Sequence, residues 1–152
     1  MRKVIFDVHQ NSLEGSLPTE IGQLSKLLYL GLYKNVLVGA IPSEIGLLTS
    51  LDILILNSNN LESQVPSHLG ALTSLTAISL HDNKLTGALP SEIGLLSKLE
   101  YLSFYGTGIT KLPDEICNLH EDNMGLIQHL YISEGMTVET NCSHLLTPLF
   151  PM

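Results

Sequence analysis

The chain has 152 residues, 44% hydrophobic and 14% charged, with 15 acidic against 7 basic side chains and a formal net charge of −8. That length bounds it to one domain or part of one, and that apolar share excludes a disordered segment. With five of the seven basic residues scattered singly, no basic patch follows a phosphate backbone, which argues against nucleic acid and against an anionic membrane surface as partners.

At the N-terminus, Arg2 and Lys3 precede Val4, Ile5 and Phe6, but Asp7 and His9 cut this apolar run short, so it does not read as a signal peptide. Nowhere does an uninterrupted apolar run approach the roughly 20 residues of a spanning helix. This chain therefore makes no direct membrane insertion of its own.

From there the chain repeats. Asn11, Asn35, Asn59 and Asn83 follow one another at intervals of 24 residues, with Thr107 fifth in the series. Pro18, Pro42, Pro66 and Pro90 keep the same beat, and Pro113 follows one residue early. A fixed period of this size predicts a solenoid of stacked units, none of which buries its apolar side alone.

Each period opens on a strand. Leu27, Leu30, Leu32, Asn35 and Leu37 set the pattern, repeated by Leu51, Leu54, Leu56, Asn59, Leu61 and by Leu75, Ile78, Leu80, Asn83, Leu85. Leu99, Leu102, Phe104, Thr107 and Ile109 follow, and Lys3, Phe6, Val8, Asn11 and Leu13 form a weaker first copy. The Leu-x-Leu alternation is the period of a strand with one buried face. The Asn is expected inside the bend after the strand, where its amide satisfies backbone groups that no strand partner reaches.

The second half of each period enters a helical or 3₁₀ turn at the Pro, with Glu20, Glu44, Glu92 and Glu115 near its start and His68 breaking the series. Stacking predicts apolar columns through Ile21, Ile45, Leu69, Ile93, Ile116 and through Leu24, Leu48, Leu72, Leu96, Leu119. Gly22, Gly46, Gly70 and Gly94 also recur, and Cys117 takes the fifth place.

After Leu119 the pattern loosens. Residues 127–135 fit the strand template once more, with Gly135 in the Asn place, and nothing repeats from Met136 to Met152. The expected organisation is five repeats over residues 1–119, then a degenerate sixth repeat and C-terminal cap over residues 120–152.

The stretch Leu85-Thr86-Gly87-Ala88-Leu89-Pro90-Ser91-Glu92-Ile93-Gly94 resembles the plant-type leucine-rich repeat, whose hallmark is L-x-G-x-(I/L)-P after the Asn. The resemblance covers residues 3 to 119. It implies an α/β solenoid, a right-handed horseshoe with a parallel sheet on the concave face and short turns on the convex side. It also implies a protein or peptide partner, as in receptor ectodomains, and an extracellular or cell-surface setting in signalling or defence. Glu62-Ser63-Gln64-Val65 departs from the pattern in repeat three, and repeat five is one residue short. The family's cysteine-paired N-terminal cap is absent, which reads as a fragment or an incomplete gene model. Cys117 and Cys142 would brace the cap by a disulfide if they follow secreted members of the family. The other reading is two unrelated thiols, since Cys117 takes an interior glycine position. Asn141-Cys142-Ser143 is a formal glycosylation sequon, a weak signal at that length.

If the strands lie as the pattern predicts, residues 28, 29, 31, 33, 34 and their equivalents point out of the concave face. The chain has five tyrosines, Tyr29, Tyr33, Tyr101, Tyr105 and Tyr131, and all five fall on such positions. Tyrosine suits recognition, offering a rigid surface and one hydroxyl, although it also simply favours strands. With Asn57, His81 and Asp82 they make the candidate ligand-binding surface.

No chemistry of another kind is indicated. His9 and His81 share a column three repeats apart, roughly 14 Å at about 4.8 Å per strand, too far for shared metal ligation. No serine sits in a Gly-x-Ser-x-Gly elbow and no glycine motif cradles phosphate. The sequence therefore predicts a non-catalytic binding module without cofactor or metal. The alternatives are a secreted inhibitor of a foreign hydrolase, a structural scaffold without a discrete ligand, and a part of a larger receptor kinase.

Overall fold

The computed structural model describes residues 4–121 and 129–132, except for the side chains of residues 120 and 121. Its strands are β1 (Ile5–Asp7), β2 (Glu14–Ser16), β3 (Tyr29–Gly31), β4 (Val36–Gly39), β5 (Ile53–Ile55), β6 (Asn60–Ser63), β7 (Ala77–Ser79), β8 (Lys84–Ala88), β9 (Tyr101–Ser103), β10 (Gly108–Lys111) and β11 (His129–Tyr131). The odd-numbered strands form a six-stranded parallel sheet in the order β1-β3-β5-β7-β9-β11. Tyr29 lies opposite Ile53 and Ile53 opposite Ala77, so this register equals the repeat period and like positions stack into rows. β11 extends the same sheet at a longer offset than the period, with Tyr131 opposite Ser103.

The even-numbered strands form a second parallel sheet of five strands, β10-β8-β6-β4-β2, which the sequence pattern does not announce. Its register runs two residues short of the period, with Glu14 opposite Val36. A slip of two keeps each side chain on its own face, so the repeat tolerates it. The residue missing from repeat five is absorbed here, as a register shift between Ile109 and Lys111.

The chain returns through 3₁₀ turns, Thr19–Gln23, Ser43–Leu47, Ser67–Ala71, Ser91–Leu95 and Asp114–Cys117. Each is entered from an extended proline, such as Pro42 at φ −68° and ψ 146°, whose missing N–H would have no partner in a helix start. The turns pack tightly on one another. A Cβ added to Gly46 would lie 2.6 Å from the His68 carbonyl oxygen, and one on Gly70 equally close to that of Glu92. The recurring glycine is thus a spacing requirement between stacked turns. The short helix Asn118–Glu121 follows the last turn.

The core is the stack of inward leucines and isoleucines, with Leu30, Leu54, Ile78 and Leu102 at 0% exposure. The Asn row runs beside it. Asn35, Asn59 and Asn83 each donate to carbonyls of their own repeat and the preceding one, and each accepts the N–H of Leu13, Leu37 or Leu61 respectively. Thr107 substitutes through a hydroxyl donated to the Phe104 carbonyl at 2.6 Å.

The first repeat differs. Leu24, expected in a buried column with Leu48 and Leu72, is 42% exposed, while those two are at 0%. Phe6 and Leu13 are likewise exposed, although their counterparts Leu30 and Leu37 are buried. Burial in a solenoid requires a neighbour on both sides, and among the described residues these have one on one side only.

Candidate functional site

The side chains of the first sheet that do not enter the core form the concave face. The backbone at its rim is shaped by one conformation. Gln10, Lys34, Ser58 and Asp82 have φ between 53° and 55°, and Gly106 follows at φ 62°. This left-handed residue turns the chain out of each strand and lets the next residue, the Asn, point back into the bend.

Across the face the rings gather in two groups. In the first, the His9 ring stacks on Tyr33 with centroids 4.4 Å apart and planes 4° from parallel. His9 Nδ1 lies 2.7 Å from Asp7 Oδ1. The Tyr29 ring and the Asp7 carboxylate close over Gly31, where a Cβ would lie 2.6 Å from the ring and 2.7 Å from the carboxylate. Burial, then the Asp7 and Tyr33 charges, push the Tyr29 hydroxyl pKa above its ordinary value.

In the second group, the His81 ring stacks on Tyr105, with centroids 4.4 Å apart and an angle of 13°. Its Nδ1 sits 2.9 Å from Ser79 Oγ and 3.2 Å from Ser103 Oγ. Burial lowers the His81 pKa, and the neighbouring Asp82 charge opposes that only in part. Beyond lie Tyr101, His129 and Tyr131, with Tyr101 to Tyr131 at 5.6 Å and His129 6.2 Å from each of the two. Tyr105 has its pKa raised by burial first, then by Asp82, Tyr101 and Tyr131, so these groups sense one another across the strands.

Every tyrosine of the chain is therefore on this sheet: Tyr29, Tyr33 and Tyr101 half-buried, Tyr105 and Tyr131 exposed. Asn57 is different from the sequence expectation of a solvent-facing contact. It is 8% exposed, and its amide is engaged, donating to Ser58 Oγ at 3.2 Å and accepting from Ser79 Oγ at 3.3 Å. It forms floor between the two ring groups. His129, which the sequence reading did not select, joins the second group because β11 extends the sheet. Its place opposite Tyr101 was the signal that would have found it.

Among the described residues no group of three His, Cys, Asp or Glu is placed to hold a metal ion. No helix among them is long and apolar enough to cross a membrane. Cys117 is disulfide-bonded; Cys142, like the Asn141 sequon and Gly135, lies outside the described residues.

A solenoid with this Asn row, this period and a parallel sheet lined by rings is a leucine-rich-repeat protein, and the chain belongs to that family in its plant type. A family model described as Leucine Rich Repeat matches residues 74–96 and 98–119. Among solved structures, the chain is similar to the ectodomain of the Arabidopsis thaliana receptor kinase SOBIR1, at 30% identity and a TM-score of 0.75, over 88% of this chain and 71% of that one. It is similar to the ectodomain of the Arabidopsis thaliana membrane receptor kinase GASSHO1/SCHENGEN3, solved in complex with CASPARIAN STRIP INTEGRITY FACTOR 2, at 34% identity and a TM-score of 0.77. That match covers 85% of this chain but 15% of the other, so the chain spans a small part of that receptor's length. A chain of the Arabidopsis thaliana BIR3–SERK2 complex matches at 30% identity and a TM-score of 0.70, over 83% of this chain and 67% of that one. A comparison with curated protein sequences returned no match.

Proposed function

We propose that the chain is a non-catalytic recognition module that binds a protein or peptide on its concave face. The observation that carries this reading is the collection of every tyrosine on one sheet, in two ring groups separated by the Asn57 floor. Rigid rings on a rigid scaffold lose little entropy on binding, which favours this face over the mobile lysines elsewhere. One similar ectodomain has been solved in complex with CASPARIAN STRIP INTEGRITY FACTOR 2 and another similar chain in the BIR3–SERK2 complex, as their names state, and a protein or peptide partner is proposed here. The division into repeats over residues 1–119 and a cap over 120–152, and a Cys117–Cys142 pair bracing that cap, belong to the same proposal. An intact mass before and after reduction and alkylation tests the pair.

The test of binding is selection of a displayed random-peptide library on the folded chain, followed by a Tyr29/Tyr33/Tyr101/Tyr105→Ser variant. Enriched peptides should lose at least tenfold in affinity for the variant while its circular dichroism is unchanged. Equal affinity for both proteins sinks the concave-face reading and favours a scaffold or another surface.

A further inference from the structure

The second ring group differs from the first in how its carboxylate is held. Near the first group, Asp7 is held by His9 at 2.7 Å and Lys34 stands in the next row. Near the second group nothing plays that part. Asp82 comes no closer than 4.0 Å to His81 Nε2, and His81 is a neutral imidazole at neutral pH because burial lowers its pKa. Glu100, exposed at the entry to β9, has no ion pair, the only ion pairs among the described residues being those of Asp7 and Asp82. The sequence given contains no Lys or Arg after Lys111.

One carboxylate also stands beside the rings. Asp82 folds toward Gly106, where a Cβ would lie 2.5 Å from Asp82 Oδ1, directly beside Tyr105. Tyr101, His129 and Tyr131 continue the ring surface from there.

We infer that this end of the concave face is a subsite for a cationic side chain of a bound peptide, an arginine above all, stacked on the rings of Tyr101, Tyr105 and Tyr131 with Asp82 compensating its charge. The inference rests on the concave-face reading above and deepens it. A ring quadrupole attracts a cation placed over its face, and a guanidinium is planar and weakly hydrated, so it matches flat rings better than an ammonium does. The Asp82 carboxylate adds attraction, which solvent screens partly.

The experiment uses the folded chain with ¹³C-labelled tyrosine and two small probes, N-acetyl-arginine methylamide and its neutral isostere N-acetyl-citrulline methylamide. The arginine probe should shift the ring signals of Tyr101, Tyr105 and Tyr131 saturably, while Tyr29 and Tyr33 serve as internal controls. Citrulline should shift them at least threefold less, and an Asp82→Asn variant, in which the charge is removed without loss of volume, should weaken the arginine response at least threefold. Equal response to the two probes, or equal shifts at Tyr29 and Tyr33, overturns the subsite. The library selection separates this failure from the broader one. Peptides that require the concave tyrosines yet show no enrichment of Arg or Lys leave the recognition module standing and remove the cationic subsite.

Discussion

The Asn59 side chain donates to the carbonyl of Leu32, 27 residues earlier in the chain, at 3.0 Å. The same amide donates to the Leu56 carbonyl and accepts the N–H of Leu37 at 3.1 Å. One side chain thus closes a bend in its own repeat and ties that repeat to the one before. Asn59→Ala leaves the buried Leu37 N–H without a partner, while the Leu32 and Leu56 carbonyls each keep one amide donor, from Asn35 and Asn83. An unsatisfied buried donor costs about 1–3 kcal/mol, and urea unfolding should show a loss in that range. Asn11, exposed and bonded only to carbonyls of its own repeat, is the control, and Asn11→Ala should cost less than about 1 kcal/mol. Equal losses at the two positions would show that the link between repeats contributes nothing.

Gly70 tests the stacking of the turns. Its backbone is not in the left-handed region, so the glycine is there for space. A methyl group would meet the Glu92 Cβ at 2.5 Å and its carbonyl oxygen at 2.6 Å. Gly70→Ala should destabilise by about 1–3 kcal/mol, the range of overpacked interiors. An unchanged denaturation midpoint would mean that the turns separate at no cost.

Lys34 tests the opposite case, conformation without crowding. It is exposed and sits at φ 54°, where Gly106 serves in repeat five. A left-handed residue with a Cβ costs about 1–2 kcal/mol, and glycine returns part of that gain as chain entropy. Lys34→Gly should therefore stabilise by about 0.5 kcal/mol, and Lys34→Val should destabilise by more than about 1 kcal/mol, β-branching being worst there. Thermal melts of the two variants against the parent read both signs.

His81 makes stability depend on pH. Its folded pKa is below the unfolded value of about 6.5, so between the two the unfolded chain binds the additional proton. Its contribution is present in full above about 6.5 and is lost as pH falls through the folded value. The urea midpoint should fall on acidification below about pH 6.5, and less steeply in His81→Gln. Parallel curves for the parent and that variant would count against this assignment.

How much of this was written in the sequence follows from where each interaction lies. The period, the leucine columns, the Asn inside its bend and the tyrosines on one face are properties of like positions. A parallel sheet in period register turns sequence spacing directly into spatial rows. The second sheet was not legible, because segments such as Val36-Leu37-Val38-Gly39 are short, contain glycine and pair at an offset two residues from the period. Nor was the burial of Asn57, which depends on the serine of the next repeat and the serine beside it rather than on its own row. The exposure of Leu24, Phe6 and Leu13 likewise follows from which side of them carries a neighbour.

By itself the sequence determined the solenoid, its family and the face that carries the rings, since each is fixed by a spacing the chain repeats. Only the tertiary structure decided that the rings form two groups, that Asp7 lies 2.7 Å from His9 while Asp82 stands 4.0 Å from His81, and that His129 joins Tyr101. Those distinctions depend on distances of a few ångströms between side chains of different repeats, and a period records which residues share a row but not how their side chains turn.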